Sequence, residues 1–158
     1  AHPVCPDLSR IAFESAQVVG ASVHMGGTYV CMEGPQFSTL AESQLYRSWG
    51  MDVVGMTNLQ EAKLAREAEI CYTTIAHVTD YDCWHPEADH VTVDMIVANL
   101  QRNVDVAQQL IAEAVGRVPA ERGCGCGSAL ATAIITSPGA ISAETKRDLA
   151  PIIGKYVG

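Results

Sequence analysis

Two carboxylates one residue apart, Asp80 and Asp82, directly follow the run Cys71-Tyr72-Thr73-Thr74-Ile75-Ala76-His77-Val78. That run has the β-branched density of a central strand. Acids at the carboxyl end of such a strand are costly unless they meet a ligand or a partner, and strand ends are where open α/β sheets hold ligands. The plainer alternative is an N-cap and a surface turn. A second polar cluster, Gly55-Met56-Thr57-Asn58, follows the short apolar run Asp52-Val53-Val54-Gly55-Met56. A third, Glu33-Gly34-Pro35-Gln36-Phe37-Ser38-Thr39, leads from a strand into a helix. Free backbone N–H groups at such a helix start attract anions, and Phe37 offers a face on which a base or sugar stacks. Alone, that string reads better as a capped loop around one buried aromatic.

Six cysteines supply a different chemistry. Cys5, Cys31 and Cys71 sit in apolar strings and read as small buried hydrophobes, and Cys83 as a packing residue. Cys124-Gly125-Cys126 puts two thiols around one glycine, on what reads as an exposed, mobile loop. The pair can close a strained disulfide, bind a metal, or do neither. No His-x-x-x-His and no second Cys pair stands near it, which ranks the disulfide ahead of the metal. His77 reads as a packed strand residue, and His85 and His90 as solvent-facing.

The elements that must position these groups alternate along the chain. Helices are predicted from Ser9 to Val19, with Asp7 or Ser9 as cap, and from a Thr39 cap through Trp49. Others begin at Asn58, run from Val91 to Val115, and run from Ser142 to Tyr156 with a kink at Pro151. Strands are predicted at Thr28–Met32, Asp52–Met56 and Cys71–Val78. This order implies βαβ crossovers and a largely parallel sheet covered on both faces. The expected fold class is therefore α/β, a three-layer sandwich with a mostly parallel or mixed central sheet flanked by helices. All 158 residues fall in one domain.

Composition limits the partners. Hydrophobic residues make up 48% and charged residues 18%, enough for a core, and the net charge of −8 argues against nucleic acid or an anionic membrane. No apolar run reaches the roughly 20 residues of a spanning helix, and the start lacks a signal peptide's basic and apolar stretches. The expected location is the cytoplasm.

The strings Met32–Thr39, Ala41-Glu42-Ser43, Asp52–Thr57, Glu61–Ala68 and Val78–Trp84 together resemble the trimeric purine nucleoside phosphorylase family, within it the S-methyl-5′-thioadenosine phosphorylases. The resemblance runs in order from about Cys5 to Val115. It implies phosphorolysis of S-methyl-5′-thioadenosine to adenine and 5-methylthioribose 1-phosphate, with inorganic phosphate as co-substrate and no cofactor or metal. The transition state of such a glycosyl transfer resembles an oxocarbenium ion. By resemblance Asp80 is catalytic, a carboxyl kept protonated so that it donates to purine N7, and Asp82 recognises the 6-amino group. Tyr81 joins them on the substrate. Phe37 stacks on the purine, Met56 lies against the ribose, Thr57 contacts phosphate, and Ser38 and Val93 shape the base and 5′ pockets. An apolar 5′ pocket suits a methylthio group.

Oxopurine-specific relatives carry Asn where this chain has Asp80, which favours adenine. The family's phosphate loop, its Arg-His pair and its Thr-Asn-Ala segment precede the matched region. Gln36 and Leu40 stand where relatives often have Arg. The resemblance thus implies a C-terminal portion without most of a phosphate site, working in a homotrimer or larger homo-oligomer, with a separate N-terminal piece as a further partner. The alternatives are a nucleoside phosphorylase of broader or 6-oxopurine specificity, a truncated non-catalytic chain, and, remotely, a thiol redox module.

Overall fold

The computed structural model describes residues 2–85 and 92–158. Helix α1 spans Pro6–Val18 and is capped by Cys5, whose Sγ accepts from Leu8 N–H, rather than by Asp7 or Ser9. Strand β1, Tyr29–Cys31, leads through a loop to α2, Leu40–Ser48. Strand β2, Val53–Gly55, leads to α3, Asn58–Glu67. Helix α4 covers Val93–Arg117. His90, and Val91 from which this helix is expected to start, lie outside the described residues. Beyond α4 come a 3-10 turn at Gly125–Ser128, another at Pro138–Ala140, and helices α5, Ala143–Asp148, and α6, Ala150–Val157. The last two replace the one kinked helix of the sequence reading. Pro151 has no N–H to give and sits in the first turn of α6, where none is needed, so the chain restarts there.

The strands β1 and β2 pair in parallel, Tyr29 opposite Val53 and Cys31 opposite Gly55. Gly55 is required in that register, because a Cβ there would collide with the Tyr29 hydroxyl. The pairing continues one bond further, from Met32 N–H to the Gly55 carbonyl at 2.8 Å.

The expected sheet-centred sandwich is not what the chain forms. The described residues are 52% helix and 4% strand, and the only sheet among them is this open pair. The cause lies at Cys71–Val78. That segment is assigned no strand. Among the described residues, its backbone bond to another element is a single one, from Cys5 N–H to the Tyr72 carbonyl at 2.7 Å. A β-rich run becomes a strand only when a neighbour completes its ladder. Val53 and Val54, expected to be buried, are accordingly only half-buried.

The core is small. Helix α1 packs on α4, burying Ile11, Ala12, Ser15 and Ala16 against a face that includes Leu110. The chain exposes 11051 Å², against about 7,700 Å² for a self-contained globular protein of this mass. Apolar side chains account for part of the excess, among them Phe37 at 82% and Val93 at 75% exposed.

Candidate active site

The loop after β1 is anchored at both ends. Ser38 Oγ donates to Met32 Sδ at 3.2 Å, and Thr39 caps α2 in a reciprocal box with Glu42. The Thr39 N–H and hydroxyl both donate to the Glu42 carboxylate, at 2.7 and 2.8 Å, and hold it below the usual carboxylate range. The helix start expected to attract anions is thus partly filled by the chain's own carboxylate. Phe37 between these anchors is not a buried aromatic; its ring is bare.

Met56, just past β2, lies with its terminal methyl against Gly34, so the second strand end meets the first. A Cβ at position 34 would push that methyl away. Thr57 precedes α3 but makes no capping bond, leaving its exposed hydroxyl available to a ligand.

The acidic turn forms the third side. Cys83 Sγ donates to the Ser38 carbonyl at 3.5 Å and so ties the turn to the Phe37 loop. Arg47 of α2 lies 3.6 Å over the Trp84 ring, a cation–π contact that fixes the same turn from the helix side. Asp80 is exposed, with Oδ2 accepting from Thr79 Oγ1 at 2.8 Å. Asp82 is half-buried and accepts from the Cys83 N–H at 2.9 Å. The Tyr81 ring stacks on His85 at 4.4 Å, so His85 is a half-buried partner rather than solvent-facing.

Sequence reasoning missed the residues that hold this turn from below. Asn99 and Asn103 read as the polar face of α4. In the fold Asn99 Nδ2 donates to the Thr79 carbonyl at 2.9 Å and Asn103 Nδ2 to the Val78 carbonyl at 3.1 Å. One signal was available: two Asn at i and i+4 share a helix face, although Asn is a poor helix former.

Phe37, Ser38, Met56, Asp80, Tyr81 and Asp82 therefore stand on three loops tied to one another. Thr57 opens instead toward a neighbouring cleft of about 270 Å³, lined also by Tyr29, Glu61, Tyr72 and His77. His77 is exposed there, not packed in a core. Burial, with Cys31 and Glu61 nearby, raises the Tyr29 phenol above its ordinary pKa. Val93 begins α4 largely in the open.

The thiols depart from the sequence reading most. All six are free, and Cys126 is buried rather than on an exposed loop. Cys5, Cys71, Cys124 and Cys126 gather with their Sγ atoms within 4.8 Å of one another. Burial pushes the Cys71 and Cys126 thiols up, while the Cys126 backbone N–H and the Cys71 thiol draw Cys124 down to about 7.

The model of the Phosphorylase superfamily matches residues 1–116. The S-methyl-5′-thioadenosine phosphorylase of Koribacter versatilis is 61% identical over 156 residues, covering 99% of this chain and 53% of the relative. That of Geobacter sulfurreducens is 60% identical over 157 residues, covering 99% and 55%. Among solved structures, a methylthioadenosine phosphorylase from an antarctic soil metagenomic library superposes with a TM-score of 0.86 at 46% identity, covering 95% of this chain and 54% of that one. The methylthioadenosine phosphorylase of Schistosoma mansoni in complex with adenine gives 0.72 at 32% identity, covering 83% and 52%. The chain spans about half the length of the curated relatives it matches.

Proposed function

The chain belongs to the phosphorylase superfamily, and we propose that it supplies the purine- and ribose-facing part of an S-methyl-5′-thioadenosine phosphorylase. In this reading residues 1–158 are the C-terminal portion of one catalytic domain. The whole enzyme is a cytoplasmic homotrimer or larger homo-oligomer that uses inorganic phosphate as second substrate and no cofactor. Free thiols at all six cysteines fit a reducing compartment.

Phosphate oxygen attacks the anomeric carbon as the glycosidic bond breaks, and the bonding electrons leave with the purine. Charge builds on the purine before the new bond is complete, so a proton donor at N7 lowers the barrier. Asp80 takes that role, and Asp82, already aligned by the Cys83 N–H, accepts from the 6-amino group. The bare Phe37 ring stacks on the base, Met56 lies against the ribose, and Thr57 turns its hydroxyl to phosphate. Ser38 and Val93 shape the base and 5′ pockets, Val93 offering an apolar contact to the methylthio group.

The observation that carries the reading is the Cys83–Ser38 bond, which holds the aromatic-bearing loop and the paired acids against each other. The test is release of the free base by the full-length enzyme, adenine from methylthioadenosine and adenosine and hypoxanthine from inosine, with and without phosphate. Phosphate-dependent release, fastest from methylthioadenosine, is expected. Asp80→Asn should lower kcat/KM on methylthioadenosine by about 10²–10⁴. Its melting temperature should hold, because Asp80 is exposed with the Thr79 hydroxyl as its bonded partner. Release without phosphate, preference for inosine, or full activity in Asp80→Asn would overturn the assignment.

A further inference from the structure

Cys5 caps α1, Cys71 follows α3, and Cys124 and Cys126 flank the start of the Gly125–Ser128 turn. Nothing in the proposed phosphorolysis uses any of them. Their Sγ atoms nevertheless converge within 4.8 Å of one another, with Cys71 and Cys124 at 3.3 Å. From this convergence we infer that the four thiols form a structural site for a thiophilic divalent cation, zinc foremost, bound as a tetrathiolate.

The geometry is close to what the ion needs. Zinc–sulfur bonds of about 2.3 Å in a tetrahedron set the sulfurs about 3.8 Å apart, so the present spread closes by a shift of about 1 Å at most. All four ligands are sulfur, which selects zinc and similar soft ions over magnesium or calcium, whose ligands are oxygens. With no position left for water, the site is structural rather than catalytic. Cys5 and Cys126 are buried, at 2% and 6% exposure, and Cys71 and Cys124 are half-buried.

A backbone donor already faces one of the sulfurs that must carry charge. Leu8 N–H donates to Cys5 Sγ at 3.5 Å, in the first turn of α1 where the helix dipole also favours an anion. Such outer-shell bonds orient and stabilise metal ligands. The binding step is an acid–base exchange: one divalent zinc and four thiols give a tetrathiolate of net charge −2 and four released protons, with no oxidant. Disulfides would instead need an oxidant and would pair the sulfurs by twos, which does not call for four sulfurs around one centre.

The ion would clamp the start of α1, the turn after α3 and the irregular segment before α5, adding to the Cys5–Tyr72, Glu69–Arg122 and Glu69–Leu130 hydrogen bonds that already join them. Its presence or absence is independent of the phosphorolysis reading. The test uses the full-length protein, reduced, incubated with excess zinc and desalted, with metal counted by mass spectrometry. One zinc per chain is expected, falling to near zero in Cys5→Ser and Cys126→Ser and unchanged in Cys31→Ser and Cys83→Ser. Cobalt in place of zinc should give the near-ultraviolet thiolate charge-transfer bands of a tetrahedral sulfur site. Because the Ser variants can fail to fold, the intact protein is also stripped with a chelator. Its melting temperature should fall with the circular dichroism retained, and recover on adding zinc back. A protein metal-free after reconstitution, a mass short by two hydrogens per disulfide, or zinc retained in both Ser variants would overturn the site.

Discussion

Glu69 ends α3 in the left-handed conformation, φ 55°, at the position after the helix cap where glycine is usual. The closing bonds are those of a Schellman turn, Glu69 N–H to the Arg66 carbonyl and Ile70 N–H to the Ala65 carbonyl. A glycine would ease the backbone but lose what this side chain holds. Its carboxylate accepts from Leu130 N–H and the Tyr156 hydroxyl and pairs with Lys155, while its carbonyl accepts from Arg122. Burial alone would raise this carboxyl. The Lys155, Tyr156 and Leu130 bonds outweigh burial and bring it down to about 2. A depressed folded pKa means the stabilisation is complete above the unfolded value near 4.3 and is lost as pH falls toward about 2. Glu69→Gln should therefore melt a few degrees below the parent at neutral pH, and the difference should close between pH 5 and 2. Thermal scans across that range check it; a gap that persists at pH 2 would contradict the charge argument.

At the scale of elements, the helices follow local rules and the strands do not. Helix α2 is fixed by the Thr39–Glu42 box at one end and by Gly50, with φ 75°, beyond the other. Thr39→Ala removes the cap acceptor for Glu42 N–H and should cost about 1 kcal/mol. In melting temperature that is about 2–4 °C for a chain of this size. Because α2 also carries Arg47 onto Trp84, fraying at its start should raise KM for the nucleoside more than it lowers kcat. A Thr39→Ser variant, which keeps the acceptor, should restore both. An unchanged melting temperature in Thr39→Ala would show that the box contributes little.

For the molecule as a whole, the surface decides behaviour. The excess over a self-contained chain of this mass is about 3,400 Å², the size of an obligate interface. Among the described residues the parallel pair β1–β2 has open edges, and Leu40 and Leu45 on α2, Trp49 just beyond it, and Val97, Leu100 and Val104 on α4 are exposed. Apolar surface of that extent drives association. These 158 residues purified alone should therefore self-associate, or hold tightly any further segment of the protein added in trans. Light scattering behind gel filtration measures it, and a monodisperse 16.8 kDa monomer would contradict it.

Read alone, the residues determined what depends on near neighbours. The Thr39 cap and the helical spacing of α1 and α4 are set within a few residues of chain, so spacing reveals them; the single helix expected over Ser142–Tyr156 instead divides before Pro151. The motif strings also carried the family resemblance. What was not legible depends on partners far along the chain. Cys71–Val78 has strand composition, yet among the described residues no adjacent strand completes its ladder, and composition cannot report what its neighbours will be. Asn99 and Asn103 look like solvent-facing polar residues until the carbonyls of Val78 and Thr79 are brought over them. Cys124 and Cys126 show a spacing with no other ligands nearby, and only folding brings Cys5 and Cys71 to their side. In each case the deciding contact joins groups separated by many residues, and only the tertiary fold fixes which groups meet.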